Sequence, residues 1–132
     1  VNLGDVSIYA TAYYIFDRLQ KAGFPAKMVP GITSFSAVAA QLGGSLTEEN
    51  APLHIIPGST DLQAALHLPG TKVLMKSGSA LGDTVAALEK VGLLDRAALV
   101  CDCGLPTQKI YRDLRHLPND LSYFATIVVR EG

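Results

Sequence analysis

An α/β domain is predicted by three observations: short apolar runs alternate with helical patterns, Gly or Pro stands at nearly every junction, and the composition suits a packed core. Hydrophobic residues make up 48% and charged residues 17% of 132 positions, a globular composition and a length that supports a single core. The clearest local signal is Lys27–Leu42. Met28 and Val29 end an extended run after Pro25, and Pro30-Gly31 breaks it. Thr33 or Ser34 then caps a helix whose Phe35, Val38, Ala39 and Leu42 form one apolar face before Gly43-Gly44. A strand, a turn and a helix N-terminus leave backbone N–H groups unpaired at a sheet end, where open α/β folds bind small molecules. A plain corner between strand and helix has the same local pattern.

The other elements follow in order. Leu3–Tyr9 is a glycine-containing loop, and Ala12, Ile15, Phe16, Leu19 and Ala22 then recur at helical spacing up to Gly23. Asp5, Ser7 and Thr11 are each N-cap candidates for that helix. Gly4 lets a ligand approach the backbone, and Asp5 offers an acceptor to a hydroxyl or amine or simply caps the helix. Pro25–Val29 is expected to be a strand. The turn-rich GGSLTEENAP of 43–52 is a loop or domain boundary. His54-Ile55-Ile56, Thr71–Met75, Ala97–Val100 and Ala125–Val129 read as strands, with a short strand or ribbon at Lys109–Leu114. Asp61 caps a short helix bearing Leu62, Ala65 and Leu66. A longer helix carries Leu81, Val85, Leu88 and Val91 on one face and closes at Gly92.

Several function classes recede. A net charge of −1 argues against nucleic acid or an anionic membrane held by bulk electrostatics, and no apolar run approaches the ~20 residues of a membrane span. No signal peptide is visible. A disulfide between Cys101 and Cys103, two apart on a strand, would be strained, and with no other Cys a reduced cytoplasmic setting fits best. A C-x-C pair and scattered His54, His67 and His116 fall short of a metal-ligand set, so no protein-bound metal is expected. The first residue is Val1, and VNLGD reads like the end of a strand and its loop, so the chain is expected to be a fragment or trimmed domain of a longer protein.

GDVSIYATAYY, VPGITSFSAVAA, LHIIPG and VLMK together resemble the tetrapyrrole methylases of cobalamin biosynthesis. Val6 after Gly-Asp, where the broad family has proline, resembles the C20 branch in particular, which acts on precorrin-2 or its cobalt-loaded counterpart. The resemblance is carried by Leu3 to Lys76 and runs more weakly to Arg130. It implies a tetrapyrrole-methylase-like fold with a mixed sheet flanked by helices. It also implies S-adenosylmethionine as methyl donor, S-adenosylhomocysteine as product, a tetrapyrrole substrate and a homodimer. Residues 1–43 would then be the end of a first domain that is largely missing, and residues 44–132 the second domain. The expected architecture places the sheet at roughly 53–132, with Phe16/Leu19 and Val85/Leu88 buried.

The same resemblance implies cofactor contacts at Leu3, Gly4, Asp5 and Ile8, at Thr33 and Ser34 toward the methionyl end, and at Ala125 and Thr126 toward the adenine. Lys76 stands where many relatives have methionine, and Cys103 where many have glycine, which leaves backbone contacts there. Methyl transfer to carbon is a positioning problem. No Ser–His–Asp or Cys–His pair offers a nucleophile, and no catalytic base is assigned. Other readings are a methylase for another ring carbon, a non-catalytic cofactor-binding or dimerisation module, and an unrelated nucleotide-binding α/β protein. The absence of G-x-G-x-x-G and of a P-loop lysine motif counts against the last.

Overall fold

A computed structural model of the chain describes residues 3–58 and 60–131. Val1 and Asn2, on which the fragment expectation begins, lie outside the described residues. Among the described residues there are four α-helices: α1 (Ala12–Lys21), α2 (Ser34–Leu42), α3 (Leu62–Leu66) and α4 (Leu81–Lys90). Five strands, β1 (Leu53–Pro57), β2 (Thr71–Met75), β3 (Ala97–Cys101), β4 (Lys109–Tyr111) and β5 (Ala125–Val129), form one sheet in the order β1-β2-β5-β3-β4.

The sheet is mixed, as expected. β1 and β2 are parallel, while β5 runs antiparallel to both β2 and β3, and β4 antiparallel to β3. Val73 and Val128 are direct register partners. The C-terminal ends of β1, β2 and β3 therefore share one edge of the sheet with the start of β5.

Alternation along the strands sorts two cores. Ile56, Leu74, Leu99, Ile127 and Val129 point to one face, where Ala65 and Leu66 of α3 and Ala87 and Leu88 of α4 cover them. Val73, Val100 and Val128 point to the other face, under Val38 and Leu42 of α2. Because β2 and β5 are covered on both faces, Val73–Met75 and Ile127–Val129 read in sequence as unbroken apolar stretches instead of alternating ones. Val85 of α4 is half-buried and Leu88 fully buried, in line with expectation.

Two expectations fail in the first forty residues. Residues 24–33 form no strand, because no described strand lies beside them to complete a ladder; their neighbours are the 4–5 loop and α1. Burial there still alternates: Ala26 and Met28 are half-buried, while Lys27 and Val29 are exposed. The apolar face of α1 is not buried either. Phe16 is half-buried and Leu19 is 40% exposed. Both line an open groove of about 620 Å³ between α1 and residues 25–31, so the stripe has the helical period but little to pack against.

Candidate functional site

The elements converge on the edge where β1, β2 and β3 end. Gly44 and Leu42, at the C-terminal end of α2, lie against Arg130 and against Ala97 and Ala98 at the start of β3. The helix therefore begins toward the opposite edge, that of Met75 and Cys103, which pack with Phe35 around the same core. Its N-cap is Thr33, in extended conformation, whose Oγ1 accepts from the Ser36 N–H at 3.4 Å and lies 2.7 Å from the Ser36 hydroxyl. No described group accepts from the N–H of Ser34 or Phe35, as is usual in a first helical turn.

The loop of Gly4 and Asp5 is fastened to the turn before α2. Asp5 Oδ2 accepts from the Gly31 N–H at 2.9 Å, and Oδ1 accepts from the Ser7 N–H at 2.8 Å and from the Ser7 hydroxyl. The Ser7 hydroxyl, then the Gly31 N–H, hold this carboxyl below the usual carboxylate range. Asp5 therefore does not cap α1; Thr11 stands at that position without a side-chain bond. Gly31 must be glycine here, since a Cβ would meet the Gly4 carbonyl oxygen at 2.5 Å. Gly4 itself sits at φ +89°. Ile8 is half-buried behind the loop.

The strand ends supply the rest. Lys76, the residue after β2, adopts φ 58°, and its Nζ lies 5.3 Å from the centre of the Tyr9 ring. This contact ties the 3–9 loop to the sheet edge. Behind it, the Gly58 N–H donates to Met75 O at 2.8 Å, and a Cβ on Gly58 would meet the Lys76 carbonyl oxygen at 2.5 Å. Cys103 is half-buried against the α2 core, and burial raises its thiol pKa, as it does for Cys101. Ala125 and Thr126 are buried at the start of β5, opposite Cys101 and Val100.

The structure thus brings Lys76, Cys103, Ala125 and Thr126 to one edge, with the α2 N-terminus directed toward it. The Leu3–Ile8 loop joins through Asp5–Gly31 and Tyr9–Lys76. Sequence reading passed over Tyr9, Asp102, Tyr123 and Phe124. Asp102, at φ 50°, accepts from the Thr107 hydroxyl at 2.8 Å and from the Ser122 hydroxyl, and its N–H donates to Phe124 O at 2.9 Å. The Ser122 hydroxyl, then Thr107, keep its carboxyl low. Its sandwiched position in C-D-C gave no motif; three polar partners from 5 to 22 residues downstream cannot be read from spacing. Among the described residues there is no group of three His, Cys, Asp or Glu able to hold a metal ion. No described helix is long and apolar enough to cross a membrane.

Comparison with known proteins gives relatives in both sequence and fold. The chain is 32% identical, over 99% of its length, to the cobalt-precorrin-2 C(20)-methyltransferase of Salmonella typhimurium, and covers 57% of that protein. In fold it resembles a cobalt precorrin-4 methyltransferase from cobalamin biosynthesis, with TM-score 0.75, 20% identity, and coverage of 98% of this chain and 62% of the other. It also resembles the uroporphyrin-III C-methyl transferase of Thermus thermophilus solved with S-adenosylhomocysteine, with TM-score 0.70, 18% identity, and coverage of 97% and 63%. The chain spans little more than half the length of each. The sequence pattern of the tetrapyrrole (corrin/porphyrin) methylases matches residues 1–117, and the chain belongs to that family.

Proposed function

We propose that this chain is part of an S-adenosylmethionine-dependent methyltransferase that methylates C20 of precorrin-2 or cobalt-factor II in corrin biosynthesis. The observation that carries the reading is the meeting of a tight glycine loop and a helix N-terminus beside three parallel strand ends, in a member of the tetrapyrrole methylases. The residues present suit the methyl donor. The N–H groups of Ser34 and Phe35 have no described acceptor and favour a carboxylate. Asp5 spends three acceptor positions on Gly31 and Ser7, which leaves room on Oδ2 for an ammonium or hydroxyl. Leu3, Gly4 and Ile8 frame that loop. Lys76 and Cys103 contribute backbone, and Ala125 and Thr126 a small buried floor.

When bound, the donor supplies an electrophilic sulfonium methyl group. The protein's part is to hold that methyl in line with the attacking carbon and keep water out, so that positioning provides most of the rate. Its rigid parts are the Gly31–Gly4 contact and the Lys76–Gly58 contact, both backbone against backbone.

A second reading, a non-catalytic cofactor-binding or dimerisation module, draws on the open face of α1, where Tyr13, Tyr14 and Ile15 are 47%, 69% and 61% exposed. A homodimer in a cytoplasmic setting belongs to both readings. The test is calorimetry with S-adenosylhomocysteine on the longest gene product carrying this sequence, followed by carbon NMR of the product made with 13C-methyl donor. A label at C20 supports the first reading. A label at another ring carbon moves the chain to a sister activity, and binding without transfer supports the module.

A further inference from the structure

Beside the proposed cofactor wall, the same edge carries a cluster of exposed aromatic rings. Tyr123 and Phe124 are 65% and 62% exposed, although they immediately precede the fully buried β5. Their rings meet edge to face, with centroids 5.6 Å apart. They are held there by design of the backbone: the Ser122 hydroxyl bonds Asp102, the Phe124 N–H donates to Ser122 Oγ at 3.2 Å, and the Asp102 N–H donates to Phe124 O. The Tyr123 ring lies beside Gly78, where a Cβ would stand 3.7 Å from it. Two residues earlier is Lys76, with its ammonium over Tyr9, itself 45% exposed. Three exposed aromatic rings and one cation thus crown the edge of the sheet.

We infer that Tyr9, Lys76, Tyr123 and Phe124 form a docking rim for a flat, conjugated, polycarboxylate macrocycle, the tetrapyrrole substrate of the proposed reaction. The inference rests on that reading and extends it to named substrate contacts. Two features favour the macrocycle over the adenine ring of the methyl donor. Ala125 and Thr126, behind the rim, are buried, so a small ring seated there would leave the projecting faces of Tyr123 and Phe124 uncovered. The cation at the rim matches peripheral carboxylates, whereas adenine is neutral. Rings fixed by hydrogen-bonded backbone lose little freedom when a flat ligand stacks on them.

The test uses uroporphyrin III as macrocycle probe and S-adenosylhomocysteine as cofactor probe, on the longest gene product carrying this chain. Porphyrin binding is read from its absorption band and cofactor binding by calorimetry. Two variants are compared: Tyr123→Leu with Phe124→Leu, which keeps apolar bulk at exposed positions, and Lys76→Met, which keeps the stem without the charge. Porphyrin affinity is expected to fall at least about tenfold in each, the scale of one lost stacking partner. S-adenosylhomocysteine affinity should stay within about twofold in the Tyr123→Leu, Phe124→Leu variant. Lys76→Arg should restore porphyrin binding, and the Lys76 effect should shrink with added salt. Unchanged porphyrin affinity in both variants overturns the inference. Loss of cofactor affinity with porphyrin binding intact also overturns it, assigns the rim to the donor and leaves the proposed function standing. Failure of the unmodified protein to bind either probe overturns the function and the rim together.

Discussion

Gly58→Ala isolates the packing that sets the site. Gly58 follows β1, and its added Cβ would stand 2.5 Å from the Lys76 carbonyl oxygen, 3.1 Å from the Lys76 carbonyl carbon and 3.3 Å from Ser77 Cα. Ordinary contacts begin at 3.4 Å, and all three atoms are backbone, so no side chain can swing aside. The end of β1 must part from the 76–77 turn by nearly an ångström, which also stretches the 2.8 Å bond from Gly58 N–H to Met75 O. Overpacking of this kind costs about 1–3 kcal/mol and the bond about 1 kcal/mol, so the loss should be about 2–4 kcal/mol. At a urea slope of about 2 kcal/mol per M, that moves the unfolding midpoint down by about 1–2 M with the slope unchanged. Gly82→Ala is the control. Nothing lies within 4 Å of its Cβ, and it sits in α4, so the same substitution should stabilise by up to about 1 kcal/mol. A midpoint for Gly58→Ala equal to that of the unmodified protein would refute the reasoning. So would equal losses for the two variants.

Other expectations are as direct. The Asp5 carboxyl should titrate below its ordinary value of 3.8 when followed by the Gly31 amide shift in NMR. Because its folded pKa is depressed, its contribution to loop order is present above that ordinary value and fades as pH falls through the lower folded one. Thr33→Val removes the α2 cap and should cost about 1 kcal/mol, read as a lower urea midpoint. Both thiols should react slowly with a disulfide reagent at neutral pH, Cys101 more slowly than Cys103, because burial raises the pKa of both and Cys101 is 2% exposed. Light scattering is expected to show self-association through apolar surface such as the α1 face, and a monomer at high concentration would count against it.

What the sequence disclosed was local. Thr33, Asp61 and the residues of α4 announce themselves because capping and helical period are properties of neighbouring residues. The segments of β2 and β5 likewise showed as strands, but nothing in them says that they pair with each other. What stayed hidden depends on partners far along the chain. Met28 and Val29 have strand-like residues but no neighbouring strand, and Phe16 has helical spacing but faces a groove. Asp5 looked like a cap or a ligand acceptor, because nothing in GDVS indicates that Gly31, 26 positions on, donates to it. The aromatic pair at 123–124 gave no signal, since exposure at a sheet edge has no periodic signature.

The place of β5 in the sheet bears on how the chain is made. β5, the last of the five described strands in chain order, lies in the middle, between β2 and β3, and every residue of it is buried. Until it leaves the ribosome, β1-β2 and β3-β4 are two separate ribbons with no common ladder, each only marginally stable by itself. Completion of the sheet must therefore await β5, and a nascent chain stalled before Ala125 presents two open strand edges to its surroundings. A premature stop codon ahead of Ala125 would take away the central strand, and with it the floor that Ala125 and Thr126 make.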